Sequence, residues 1–241
     1  MQKQGSQKLS QEEIFSSYSW WDKSCLLFRI TEERADYIEA SIDRVFGKEA
    51  LRQQEILEVG CGGGLICESL AQRGAIVAGI DPSSEALQAA REHTQRANLG
   101  QVAYFERGYA ESLPYADGSF SVIVCLDVLE HVRDLDATIR EVARVLAPGG
   151  IFIFDTINRT LLARLALIWI GERFFRGSGL LPGLHNYAQF IKPRELSSLL
   201  TSHHLEIHEM VGFMPRFVKG RLTLRPGWFK GASYIGYATR L

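Results

Sequence analysis

The run Ile56-Leu57-Glu58-Val59-Gly60-Cys61-Gly62-Gly63-Gly64 constrains this chain more than any other stretch. A short apolar strand runs into a glycine string and then into a helical segment, so the backbone must leave a buried strand, turn tightly and enter a helix. Gly60 and Gly62 allow the turn and a close ligand approach, while the helix start offers unpaired N–H groups and the positive end of its dipole. Asp81 stands 21 residues after Gly60, at the end of the next predicted strand, where a carboxylate accepts hydrogen bonds from both hydroxyls of a ribose.

The rest of the chain fits a sheet built around that turn. Strands are expected at about 55–60, 76–80, 102–106, 121–126 and 151–156, with helices near 64–73, 84–97 and 135–146. This alternation predicts an α/β, Rossmann-like, mostly parallel sheet with helices on both faces. Final strands at about 205–213 and 232–239 complete seven. Ahead of the sheet, Glu12 to Tyr18 reads as a short helix, and Thr31 reads as the N-cap of another that opens with Glu32-Glu33. Pro193 opens a helix more than 30 residues after the fifth strand, too long a gap for a passive loop. The expected organisation is one domain, 1–241: an N-terminal helical cap (1–50), a cofactor-binding core (51–157), a substrate or membrane insertion (158–192) and the C-terminal part of the sheet (193–241).

The 241 residues, 46% hydrophobic and 23% charged, exclude disordered, collagenous and coiled-coil classes. With 27 basic and 28 acidic side chains, nothing global draws the protein to nucleic acid. A local bias remains: residues 210–241 contain six Lys or Arg and no acid. Cys25, Cys61, Cys67 and Cys125 show neither CxxC spacing nor an adjacent histidine, which argues against a zinc site or a disulfide framework. No secretory signal is read at the N-terminus, and a cytoplasmic location is expected.

Two nucleotide-like ligands suit the glycine turn. A dinucleotide requires G-x-G-x-x-G for close packing above a pyrophosphate, and Leu65 occupies the third glycine position. S-adenosylmethionine has no pyrophosphate and asks the turn only to hold its amino-acid end, so it is preferred. Further along, Ala110-Glu111-Ser112-Leu113-Pro114 and Asp117 to Cys125 occur in the order found in class I S-adenosylmethionine-dependent methyltransferases, which the chain resembles over about 50–157. Trp20-Trp21-Asp22 with Arg34, Leu129-Glu130-His131-Val132, Asn158-Arg159, His185 and Phe190-Ile191-Lys192-Pro193-Arg194-Glu195-Leu196 extend the match. Over nearly its whole length the chain resembles the ubiquinone-biosynthesis O-methyltransferases, although Cys25 to Arg29 replaces that family's Pro-Leu-His segment.

The resemblance implies cofactor contacts at Arg34, Gly60, Asp81 and Leu126, with Cys61, Gly62, Pro82, Ala110 and Glu111 beside them. It implies methyl transfer to a phenolic hydroxyl of a prenylated ring, with Glu130, His131 and His185 as catalytic candidates. Asp127, Glu130 and His131, at i, i+3, i+4, would share a helix face and could hold Mg²⁺; alternatively Glu130 and His131 only cap a helix. His93, His203, His204 and His208 read as structural. The apolar stretch Leu161–Phe175, too short to span a bilayer, is either a buried helix or an interfacial one. Arg159, Arg164, Arg173 and Arg176 against Glu172 favour reversible contact with an anionic membrane. The rival expectations are a methyltransferase for a small soluble acid, amine or natural product, and a cofactor-binding module without catalysis.

Overall fold

The computed structural model describes residues 18–165, 185–218 and 221–241. The helix expected at Glu12–Tyr18 lies outside them except for Tyr18, as does the stretch Leu161–Phe175 beyond Leu165. Helix α1 (Leu26–Phe46) precedes a short 3₁₀ turn (Ala50–Gln53); then follow β1 (Glu55–Val59), α2 (Leu65–Gln72), β2 (Ile76–Asp81), α3 (Ser84–Arg96) and β3 (Val102–Arg107). Strand β4 (Phe120–Cys125), α4 (Leu135–Val145) and β5 (Leu146–Ile157) complete the first half, and α5 (Pro193–Ser202), β6 (Leu205–Val218), β7 (Arg221–Gly227) and β8 (Ser233–Arg240) the second.

The sheet has eight described strands rather than the seven expected, in the order β3-β2-β1-β4-β5-β8-β6-β7. The first five are parallel, and β8, β6 and β7 join antiparallel. The additional strand is β7, at the sheet edge, where Pro226 does not interrupt a central ladder. Each central strand is apolar on both sides, as a sheet covered by helices requires. Ile56, Val77, Val122, Val124, Ile151 and Ile153 pack with Ile38 and Ile42 of α1 and Leu70 of α2. Their neighbours Leu57, Ala78, Ile123, Phe152 and Phe154 face Ile139 and Val142 of α4 and Leu196 and Leu200 of α5.

Helix α1 differs from its expected start. It begins at Leu26, and Thr31 is inside it, its hydroxyl donating to the Leu27 carbonyl at 2.8 Å. The buried stripe Ile30, Ala35, Ile38 and Ile42 decides the helix's span, outweighing the local Thr-Glu-Glu signal. Asp134 caps α4, accepting from the Ala137 amide at 3.0 Å. At α5, Glu195 reaches back to the Lys192 amide, the return bond of a capping box.

Because the strand order reverses between β1 and β4, the carboxyl ends of β1, β2 and β4 border a crevice, the place where open parallel sheets hold ligands.

Candidate active site

The glycine turn at the end of β1 has three left-handed residues, Gly60 at φ 73°, Gly62 at 50° and Gly64 at 79°. A Cβ at Gly60 would stand 2.2 Å from a methyl of Val128, so the close approach also demands glycine there. The Gly60 and Cys61 amides both donate to the Ile80 carbonyl, binding the turn to the end of β2. Asp81, the next residue of β2, accepts from the Gly62 amide at 2.9 Å and from the Ser83 amide at 2.8 Å. These bonds aim its carboxylate at the mouth of the turn.

A cavity of about 400 Å³ opens there. Of the residues singled out from sequence, it is lined by Arg34, Gly60, Cys61, Asp81, Pro82, Ala110, Glu111, Leu126, Asp127 and His131. Gly62 lies in the turn behind Asp81, while Glu130 and His185 do not line the cavity. His185 is nevertheless adjacent, its ring centroid 5.8 Å from that of His131. Along the outer wall, Glu111 accepts from the Arg133 amide, and the Arg133 guanidinium sits 5.7 Å above the Tyr109 ring.

Arg34 is only 6% exposed and ion-pairs with Asp127 at 2.6 Å and Asp155 at 2.8 Å. Burial disfavours its charge, but the two carboxylates outweigh that penalty and hold the guanidinium protonated. Its Nε is buried and has no hydrogen-bond partner among the described residues, although the residue lines the cavity. Asp155 also accepts from the Asp127 amide at 2.6 Å, and burial pushes its carboxyl up to about 7.

His131 is uncharged at neutral pH, because burial and then the neighbouring His185 bring its imidazole down to about 4. Glu130, 2% exposed, accepts from the Thr156 hydroxyl at 2.7 Å. Burial and the nearby Asp127 push its carboxyl up to about 8.

The shared helix face expected for Asp127, Glu130 and His131 does not form. The segment is a set of turns with Asp127 at φ 54°, and Asp127 is directed to Arg34 while Glu130 is directed to Thr156. Among the described residues no group of three His, Cys, Asp or Glu side chains is arranged to hold a metal ion, so the Mg²⁺ expectation is not supported and the donor set does not fit one.

Several cavity residues have no counterpart among the sequence candidates: Trp20, Leu27 and Thr31 from the N-terminal part, Glu58 and Ile66 beneath the turn, and Gln189 from the far side. The tryptophan pair was legible only as a family mark. Gln189 reaches the cavity through tertiary folding alone, with no local pattern to announce it.

Similarity to known proteins decides between the dinucleotide and methyl-donor readings of this turn. Residues 57–154 match the methyltransferase domain family. A ubiquinone biosynthesis O-methyltransferase of Xanthomonas oryzae pv. oryzae is 36% identical over 227 residues, covering 92% of this chain and 89% of the relative. The Pasteurella multocida protein of the same name is 37% identical over 225 residues, 86% of each. The chain belongs to the ubiquinone biosynthesis O-methyltransferase family. Like its family, it is an S-adenosylmethionine-dependent methyltransferase. Among solved structures, a methyltransferase of this kind from Methanosarcina mazei superposes with a TM-score of 0.58 at 26% identity, over 78% of this chain and 92% of that one. The Pyrococcus horikoshii protein PH0226 shares the fold with a TM-score of 0.66 at 19% identity. The positions at which the resemblance implies cofactor contacts line one cavity: Gly60 and Asp81 at the turn, Arg34, and Leu126 just after β4.

Proposed function

We propose that this family member transfers a methyl group to a phenolic oxygen of a prenylated quinol precursor, working at a membrane surface. The observation that carries the reading is an uncharged imidazole, His131, in the same cavity as Asp81 and Arg34. Asp81 would take the ribose hydroxyls, Arg34 the amino-acid carboxylate, and the Glu111–Tyr109 wall the adenine. When bound, S-adenosylmethionine supplies an electrophilic methyl group. The acceptor hydroxyl gives its proton to His131 as its oxygen takes the methyl. A phenol near ~10 facing an imidazole near 4 makes a free-standing proton transfer uphill by roughly 8 kcal/mol. The proton must therefore move in concert with methyl transfer, so that the positive charge passes from the sulfonium to the His131 imidazolium as the neutral ether and thioether form. His185, beside His131, closes the acceptor side, and Glu130 is a positioning residue behind it.

A prenyl tail suits the apolar surface at the end of β5. Leu161, Leu162 and Leu165 are exposed there, together with Trp228 and Phe229 of the β7–β8 loop. Mass spectrometry with isotope-labelled cofactor tests the acceptor against a panel of catechols, prenylated phenols and small acids. Label is expected in the methyl ether of a prenylated phenol; label only in small acids would overturn the quinol reading, and none at all would leave a binding module. His131→Ala should lower turnover by roughly 10²-fold or more with cofactor affinity little changed. Parental turnover in that variant would remove His131 from the chemistry.

A further inference from the structure

The segment before α1 forms a strap across the glycine turn, and its two tryptophans have different positions. Trp21 is clamped: its indole N–H donates to the Gly63 carbonyl at 3.1 Å, and its ring stacks on His93 of α3 with centroids 3.3 Å apart and planes within 2°. His93 is in turn hydrogen-bonded to Glu68 of α2 at 2.6 Å, and Phe28 of α1 meets the Trp21 ring edge-on. Three helices thus fix Trp21. The clamp lays the preceding residue, Trp20, over the Gly62–Gly63 backbone, where a Cβ at either glycine would come within 2.3 Å of Trp20 atoms. Trp20 also lines the cavity, with Leu27, Gly60 and Arg34.

We propose that the Trp20 ring is the aromatic face that receives the sulfonium of S-adenosylmethionine and makes the site prefer the charged methyl donor to its uncharged thioether product. The inference rests on the reading that this cavity takes that cofactor with its ribose at Asp81 and its carboxylate at Arg34. The sulfur joins the ribose to the amino-acid chain, so its positive charge lies between those two anchors. Gly62 is at the first anchor, its amide 2.9 Å from the Asp81 carboxylate, and the benzo ring of Trp20, which also lines the cavity, covers Gly62. An aromatic face attracts a cation through its quadrupole, most strongly for tryptophan, and a thioether of the same shape gains no such attraction. Trp20 is therefore a specificity-determining residue, and Trp21 with His93 is the device that positions it.

Calorimetry with S-adenosylmethionine and S-adenosylhomocysteine on the full chain tests this. In Trp20→Leu, affinity for S-adenosylmethionine is expected to fall about tenfold while affinity for S-adenosylhomocysteine changes less than about twofold, the selective loss that removal of a cation–aromatic contact predicts. Trp20→Phe, which keeps a weaker face and covers the case in which the leucine variant does not fold, should lose about threefold in the ratio of the two affinities. Equal losses for both ligands would make Trp20 a plain steric wall and overturn the proposal, as would an unchanged ratio in the phenylalanine variant. A parent protein that binds neither ligand would instead sink the cofactor placement itself.

Discussion

Glu58 sits beneath the glycine turn, 4% exposed, with the Cys67 thiol donating to its carboxylate at 2.8 Å. Burial pushes its carboxyl up from an ordinary value near 4.5 to about 8, so the folded protein holds a proton there that the unfolded chain releases. A raised carboxyl stabilises the fold fully below the unfolded value, and that stability is lost as pH rises through the folded value. Asp155 and Glu130 act in the same direction. His131 acts oppositely, since its lowered imidazole removes stability only as pH falls from 6.5 toward 4. Above about 6.5 the carboxyls dominate, and the ligand-free protein should lose stability toward pH 8 or so. Glu58→Gln is expected to make that decline shallower by up to one proton's worth, about 1.4 kcal/mol per pH unit, in urea melts run across the range. Parallel curves for parent and variant would show that Glu58 stays ionised in the fold.

Elements carry a second kind of information, and α4 shows what was legible in the chain. Asp134 caps the helix expected near 135–146, so Asp134→Ala should destabilise by about 1 kcal/mol in equilibrium unfolding; a change within roughly 0.2 kcal/mol would mean water replaces the carboxylate at no cost. The glycine turn, Asp81 and the five parallel strands were equally readable, because each rests on a local pattern that burial reinforces. Thr31 misled because a Thr-Glu-Glu signal is local, whereas the stripe from Ile30 to Ile42 answers to the sheet beneath it. Strand β7 was hidden by Arg221, Arg225 and Pro226, residues that an edge position tolerates and a central one does not. The Asp127, Glu130 and His131 spacing implied one helix face, but a left-handed Asp127 breaks the helical path and Arg34, 93 positions earlier, takes its carboxylate. No periodicity reports a partner so distant in sequence.

At the scale of the whole molecule, apolar surface gathers at the end of β5. Leu161 is 70% exposed and Trp228 84%. The two segments are tied together: the Asn158 amide donates to the Ala232 carbonyl at 2.8 Å, its side chain to the Lys230 carbonyl at 2.6 Å, and the Thr160 hydroxyl to the Gly231 carbonyl. Leu162 and Phe229 both pack against Gly231, which makes one ridge of the two. No helix among the described residues is long and apolar enough to cross a membrane. On the membrane-surface reading proposed above, the ridge, with Arg164, Arg225 and Lys230 near it in the chain, would seat reversibly on an anionic leaflet, at about 1 kcal/mol per basic group plus about 25 cal/mol per Å² of apolar surface. Co-sedimentation with anionic vesicles should be salt-sensitive and should drop in Leu165→Glu and in Trp228→Glu, while methylation of a soluble catechol persists. Vesicle binding equal to the parent's in both variants would place the contact elsewhere.

The seat beneath Trp20 makes two adjacent glycines unequal in what they can become. Gly62 has a left-handed backbone of its own, so a side chain there is strained whatever lies above it. Gly63 has no such φ; the Trp20 side chain keeps it bare, beginning with its Cβ, which would stand 2.4 Å from a Cβ at 63. A descendant of this chain that first exchanged Trp20 for glycine, which removes the Cβ as well as the ring, would relieve position 63 for alanine, but not 62. The reverse order, alanine at 63 while Trp20 is still present, would drive the ring off its seat. Two sites more than forty residues apart therefore constrain the sequence in which they can change.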